Sequence, residues 1–156
     1  MSAKLAAGDA APDFRLPRDG GSEVSLADFK GKKLVLYFFP KADTPGCTLE
    51  AKAFSELEAA FAQARTRVVG VSADPVKAQD AFKAKHKLSI PLASDATHHM
   101  LDAYGVWGKK SMYGKTFMGI VRTTLLIGPD GRIARIWPNV RVKDHASEVL
   151  AAAREL

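Results

Sequence analysis

Cysteine is nearly absent from this chain, because Cys47 is the only one among its 156 residues. A single cysteine excludes any disulfide within the chain, so Cys47 can pair only with a thiol from outside. The four histidines, at positions 86, 98, 99 and 145, show no metal-ligand spacing with one another. We therefore expect no metal site.

Long apolar runs are also missing. No segment approaches the ~20 apolar residues of a membrane span, and residues 1–10 lack the apolar stretch of a secretory signal. The content of 47% hydrophobic and 26% charged residues is ordinary for a globular protein. We therefore expect a cytoplasmic protein in which residues 1–156 form a single domain.

The net charge of +6 is not concentrated in one basic stripe. Short basic clusters lie at 30–33, 83–87 and 109–110, without the interleaved aromatic residues typical of nucleic-acid binding. Solvated faces of helices account for such clusters, so we expect no specific binding of nucleic acid.

The order of the predicted elements indicates an α/β fold. A β-hairpin comes first, with short strands at Phe14–Leu16 and Glu23–Leu26. The apolar periodicity then predicts strand 34–39, helix 47–64, strand 67–72, helix 76–87, strand 90–93, helix 97–104, loop 105–119, strands 120–127 and 132–137, and helix 144–155. Parallel crossovers followed by an antiparallel pair predict a mixed sheet flanked by helices, as in the thioredoxin fold. Doubly wound nucleotide-binding folds are disfavoured, because no Gly-x-Gly-x-x-Gly follows the strand at 34–39.

Cys47 falls where a core strand gives way to a helix. Pro40 ends the strand, Thr44-Pro45-Gly46 predicts a turn, and Cys47 lies in the first turn of the helix. Unpaired backbone N–H groups and the positive end of the helix dipole favour a thiolate there, which is the nucleophilic form of cysteine. The alternative is a small buried apolar residue, the usual role of a lone cysteine.

Arg122 interrupts the otherwise apolar segment from Ile120 to Ile127. Because a buried arginine is costly unless it is paired, two interpretations are open. Its guanidinium extends to solvent from the sheet edge, or it points into a site that holds an anion. If its strand lies beside strand 34–39, the side chain reaches Cys47 and can fix a polar substrate.

Three further residues near Cys47 are candidates for the site. The hydroxyl of Thr44 can accept a hydrogen bond from the thiol or donate one to the thiolate, or it is a plain turn threonine. Pro40 shields the thiolate from water, or it only ends the strand. Glu50 pairs with Arg122 and holds its guanidinium, or it is a glutamate suited to a helix start.

Together, Pro40, Thr44, Cys47 and Arg122 resemble the active site of peroxiredoxins. The stretch from Phe38 to Ala51 is similar to that family's Pro-x-x-x-Thr-x-x-Cys motif, and Gly-Cys-Thr-x-Glu-Ala within it resembles the Q subfamily, the bacterioferritin comigratory proteins. The resemblance continues through segments 70–74, 104–107, 119–127 and 130–133 and the final helix. It therefore covers nearly the whole chain.

The resemblance implies a function and roles for the site residues. Cys47 would be the peroxidatic cysteine, which attacks the terminal oxygen of a peroxide. Thr44 and Arg122 would hold the peroxide oxygens, and backbone amides near Gly46 and Cys47 would complete a polar cradle. No metal or other cofactor is implied.

One departure from the subfamily is the missing second cysteine. The resolving cysteine of many members falls on Lys52 here, and that of others falls at about Lys83. We therefore expect a one-cysteine enzyme, a monomer or weak dimer. It would reduce hydrogen peroxide and organic hydroperoxides through a Cys47 sulfenic acid, and thioredoxin, glutaredoxin or a small thiol would restore it. A peroxide sensor that signals through a mixed disulfide and a redox-inert interaction module are the alternatives.

Overall fold

The computed structural model describes residues 5–156, and of Met112 only the backbone. The strands are β1 Arg15–Pro17, β2 Glu23–Ser25, β3 Lys33–Phe38, β4 Thr66–Ser72, β5 Leu92–Ser94, β6 Trp107–Met112, β7 Lys115–Ile120, β8 Thr123–Ile127 and β9 Ile133–Trp137. The α-helices are α1 Pro45–Glu56, α2 Glu58–Gln63, α3 Val76–His86, α4 His99–Ala103 and α5 His145–Glu155, and short 3-10 helices lie at Asp19–Gly21 and Leu26–Phe29.

The central sheet has the strand order β5-β4-β3-β8-β9. Strands β3, β4 and β5 are parallel, whereas β8 runs antiparallel to both β3 and β9. Strands β1 and β2 form a separate antiparallel hairpin. The predicted mixed sheet with flanking helices and an N-terminal β-hairpin is confirmed.

Strand β3 lies at the centre of the sheet and packs on both of its faces. Leu36 and Phe38 point into the layer that contains the N-terminal hairpin and α4. Tyr37 and Phe39 point into the opposite layer, which contains α1, α2, α3, α5 and the side chain of Cys47. Because both faces are covered, β3 is a continuous apolar run rather than an alternating one.

Two predicted elements are interrupted in the structure, and most of the other elements begin or end one or two residues from their predicted bounds. The predicted helix 47–64 is two helices, since Leu57 lies outside helical geometry with φ −97° and ψ 4°. Its N–H is shared between the carbonyls of Ala53 and Phe54. The predicted strand 120–127 is likewise interrupted at Val121 and Arg122, which lie between β7 and β8.

The prediction of a long loop at 105–119 was wrong, because residues 107–120 form the β6–β7 hairpin. The turn consists of Tyr113 and Gly114, with φ of 54° and 76°. Positive φ at both central residues is the geometry of a tight two-residue hairpin turn. Within residues 5–156, no helix has the length and apolar character needed to span a bilayer.

The packing of α1 on β3 predicts the effect of a core substitution. Phe54 of α1 is fully buried and stacks on Tyr37 with a centroid distance of 4.7 Å. We expect Phe54→Ala to lower the free energy of unfolding by about 3–5 kcal/mol, because a cavity is left under the helix. Leu49→Ala on the exposed side of α1 is the control and should change it by less than about 0.5 kcal/mol. Similar urea denaturation curves for the two variants would contradict this assignment of the core.

Candidate active site

The start of α1 places Cys47 at the carboxyl end of β3. Thr44 precedes the helix with extended backbone, at φ −94° and ψ 156°, and Pro45 occupies its first turn. Proline suits this position, because its missing N–H would have no partner within the helix. Cys47 follows in the same turn, and its side chain is 1% exposed. Its sulfur therefore lies near the unpaired amides and the positive end of the helix dipole.

Arg122 contacts the sulfur from the neighbouring strand. Its Nη2 donates a hydrogen bond to Cys47 Sγ at 3.4 Å. The pairing of Thr123 with Phe38 brings the residue before β8 to the end of β3. Arg122 is tolerated in this apolar segment because the chain leaves the strand there, and its carbonyl accepts a hydrogen bond from Val140 N–H. Of the two interpretations left open by the sequence, the geometry matches the side chain that reaches Cys47.

Glu50 binds the same guanidinium from the next turn of α1. Arg122 Nη1 donates to Glu50 Oε1 at 2.7 Å, and Glu50 is 1% exposed. Glu50 Oε2 has no hydrogen-bond partner among the described residues. Burial raises the pKa of Glu50 to about 7, while Arg122 acts in the opposite direction. The guanidinium therefore bridges a thiol and a carboxyl that both come from α1.

Thr44 and Gly46 flank Pro45 at the start of α1 and complete the site there. Thr44 Oγ1 donates to the carbonyl of Lys41 at 2.8 Å, which leaves its lone pairs free to accept a hydrogen bond. A side chain at Gly46 would place its Cβ 3.2 Å from Arg122 Nη2. Glycine at this position therefore allows the guanidinium to approach the first turn of α1.

The loop that carries Thr44 is fixed by charged side chains. Ala42 N–H donates to Asp74 at 2.8 Å. Asp43 has a positive φ of 62° and contacts Lys85 at 2.8 Å and His86 at 2.7 Å at the end of α3. These contacts join the loop after β3 to α3 and to the segment between β4 and α3. They thereby fix the position of Thr44.

A cavity of about 440 Å³ opens above Arg122. It is bordered by Pro40, Val121 and Asn139, and by Lys110 from the β6–β7 hairpin. The sequence reasoning missed Lys110, because residues 105–119 were expected to form a loop. Gly114, a turn residue between two stretches without proline, was the local signal that could have indicated the hairpin.

A second polar residue missed by the sequence reasoning is His145, at the start of α5. Its Nε2 lies 2.8 Å from Thr124 Oγ1 on β8, and burial lowers its pKa. Among residues 5–156, no three side chains of the ligand types His, Cys, Asp and Glu are grouped so that they could hold a metal ion.

Comparison with known proteins identifies close relatives. Residues 7–136 match the model of the AhpC/TSA family. The chain is 46% identical to a putative peroxiredoxin bcp of Coxiella burnetii, over 92% of this chain and 95% of that protein. It is 43% identical to peroxiredoxin Bcp of Bacillus subtilis, over 96% of this chain and 95% of that protein. The crystal structure of a cysteine-to-serine mutant of Xylella fastidiosa PrxQ superposes with a TM-score of 0.93 and 37% identity, over 99% and 98% of the two chains.

The buried Glu50 predicts a dependence of stability on pH. A carboxyl whose pKa is raised by folding contributes stability at low pH, and this contribution is lost as the pH rises from 4.5 through about 7. Because Glu50→Gln cannot titrate, the stability of the parent relative to this variant should fall over that window. The expected change is on the order of 3 kcal/mol.

Urea denaturation at a series of pH values measures this difference. Glu56→Gln, at the exposed end of the same helix, is the control for loss of a carboxylate from α1. A difference between parent and Glu50→Gln that stays constant, or that grows with pH, would show that Glu50 does not titrate in this way.

Proposed function

This chain belongs to the AhpC/TSA family and is a peroxiredoxin, a thiol-dependent peroxidase, and we propose that Cys47 is its peroxidatic residue. The observation that carries the proposal is the contact of 3.4 Å between Arg122 Nη2 and Cys47 Sγ. A cation held against a sulfur at the start of a helix favours the thiolate, which is the form that attacks peroxides.

The proposed reaction begins with attack of the Cys47 thiolate on the terminal oxygen of a hydroperoxide. An S–O bond forms as the O–O bond breaks, and the remaining oxygen takes up a proton and leaves as water or an alcohol. The sulfur is oxidised to a sulfenic acid, and the peroxide is reduced by two electrons. Hydrogen peroxide and organic hydroperoxides both supply this O–O bond.

The neighbouring residues suit this reaction. Arg122 presents donors that are already fixed by Glu50, so they need no reorganisation when charge develops on the peroxide oxygens. Thr44 can accept a hydrogen bond from the peroxide, because its own proton is given to Lys41. The amides of Gly46 and Cys47 add donors at the helix start. Pro40 borders the cavity without competing for these donors.

We propose that an external thiol completes the cycle. It would attack the sulfenic acid, release water and form a mixed disulfide, which a second thiol would then reduce. Structures of two different cysteine-to-serine mutants are known for Xanthomonas campestris peroxiredoxin Q. When the same spacing is counted from Cys47 in this chain, the second position is Lys83. The Nζ of Lys83 contacts Asp19 at 2.8 Å. Lys52, the other candidate position, is exposed on α1.

A substitution tests the role assigned to the guanidinium. Arg122→Met should lower the second-order rate constant with hydrogen peroxide by on the order of 100-fold, comparable to loss of one preorganised donor. Arg141→Met, which removes an exposed arginine, is the control and should leave the rate within a few-fold of the parent. Stopped-flow mixing of reduced protein with peroxide measures both. An Arg122→Met rate as high as that of the control would make Arg122 a structural residue.

The recycling step predicts the product of stoichiometric oxidation. With one equivalent of peroxide and no thiol, the intact mass should rise by one oxygen, and excess peroxide should carry Cys47 on to the sulfinic acid. A small thiol or a dithiol reductase added before the excess should restore activity. Cys47→Ser should gain no oxygen under the same conditions.

Two outcomes of this experiment would change the proposal. A dominant disulfide-linked dimer on non-reducing gels, absent in Cys47→Ser, would mean that the cysteine is resolved between two chains. Oxidation without sustained turnover by any thiol would favour a peroxide sensor that passes oxidation on through a mixed disulfide.

A further inference from the structure

The β6–β7 hairpin brings a second cation, Lys110, to the cavity that Arg122 borders. Lys110 lies on β6 opposite Phe117, and its Nζ donates to the carbonyl of Ile120 at 2.9 Å. Ile120 ends β7, two residues before Arg122. The ammonium is therefore anchored to the backbone that leads into Arg122, and Lys110 borders the same cavity.

Close packing fixes the stem of this lysine. Gly119 is the diagonal neighbour of Lys110 across the hairpin, and a Cβ at Gly119 would lie only 3.0 Å from Lys110 Cδ. The absence of a side chain at Gly119 thus lets the aliphatic stem lie flat against β7. Lys110 is half-buried as a result, whereas Lys115 on the same hairpin is exposed.

The ammonium of Lys110 has no carboxylate partner among the described residues. Within the part of the chain that the structure describes, no ion pair joins Lys110 to an aspartate or glutamate. Burial lowers the pKa of Lys110, Arg122 lowers it further, and Cys47 acts in the opposite direction. Lys110 also borders the same cavity as Arg122, whose guanidinium contacts the sulfur.

We propose that Lys110 is a positioning residue of the peroxidase reaction: its immobilised ammonium, held across the mouth of the cavity from Arg122, stabilises the thiolate of Cys47. Arg122 divides its charge between Cys47 and Glu50, so a second cation without a carboxylate partner supplies field that Glu50 does not cancel. This inference rests on the proposed function, because it assigns Lys110 to the reaction of Cys47.

The other titratable groups around Cys47 set the background for a pH experiment. Glu50 lies on α1 and Arg122 before β8. Tyr37 lies on β3 beneath the sulfur, and burial raises its pKa well above the ordinary value, so it stays neutral. His145 lies beyond Arg122 at the start of α5. Lys109, exposed on β6, also borders the cavity. A substitution at Lys110 leaves all five in place.

The experiment compares Lys110→Met and Lys110→Gln with the parent. Both variants remove the charge, and glutamine keeps a donor for the Ile120 carbonyl. In both, the midpoint of thiolate ultraviolet absorbance should move upward by about half a pH unit. The rate constant with hydrogen peroxide should fall about three-fold below the midpoint and converge with that of the parent above it.

Two controls separate charge from structure. Lys110→Arg keeps the charge and should retain the parent's midpoint. Lys115→Met removes an exposed charge from the same hairpin, where solvent screens it, and should also leave the midpoint unchanged. If both uncharged variants titrate like the parent, or lose rate by the same factor at every pH, Lys110 is structural and the inference is wrong. A parent without peroxidase turnover would instead overturn the proposed function, so the two failures are distinguishable.

Discussion

The guanidinium of Arg122 contacts both the thiol of Cys47 and the carboxyl of Glu50 on one helix, and the arrangement of the site depends on this shared cation. Cys47 and Glu50 are three residues apart, so they face the same side of α1. Arg122 reaches them because it lies outside the strands, in the link between β7 and β8. Its carbonyl accepts a hydrogen bond from Val140 N–H there. Glycine at position 46 leaves space for Nη2, 3.2 Å from where a Cβ would lie. Two segments of the chain, the first turns of α1 and the link between β7 and β8, therefore meet at one planar cation.

The electrostatic balance of Cys47, Glu50 and Arg122 couples the three side chains. Removing Arg122 would leave a buried carboxyl and a buried sulfur without their common cation, and uncompensated burial of a charge is more costly than the pair itself. Burial already raises the pKa of Glu50 to about 7 in the presence of the guanidinium. Glu50 therefore orients Arg122 while cancelling only part of its charge at neutral pH, and the remainder acts on Cys47.

The sequence was informative about the site wherever the relevant contacts are local. A buried strand, a turn and a helix start occupy adjacent positions, so Cys47, Thr44 and Glu50 could be placed relative to one another from residue type and spacing alone. Arg122 was visible as a charge within an apolar segment. The interruption of that segment was not, because the β-branched residues on both sides favour a continuous strand. Lys110 depends on a hairpin whose turn has Tyr113 at positive φ, a conformation that residue type does not predict.

The buried position of Cys47 constrains the second half of the proposed cycle. The side chain of Cys47 is 1% exposed, and Arg122, which contacts its sulfur, borders a cavity together with Pro40, Val121 and Lys110. A reductant attacks as a thiolate and therefore brings negative charge to this cavity. In the proposed cycle, the cations that stabilise the Cys47 thiolate also attract that incoming charge. Because Cys47 is the only cysteine of the chain, the proposed cycle uses the same positive field for the oxidation of Cys47 and for its reduction by an external thiol.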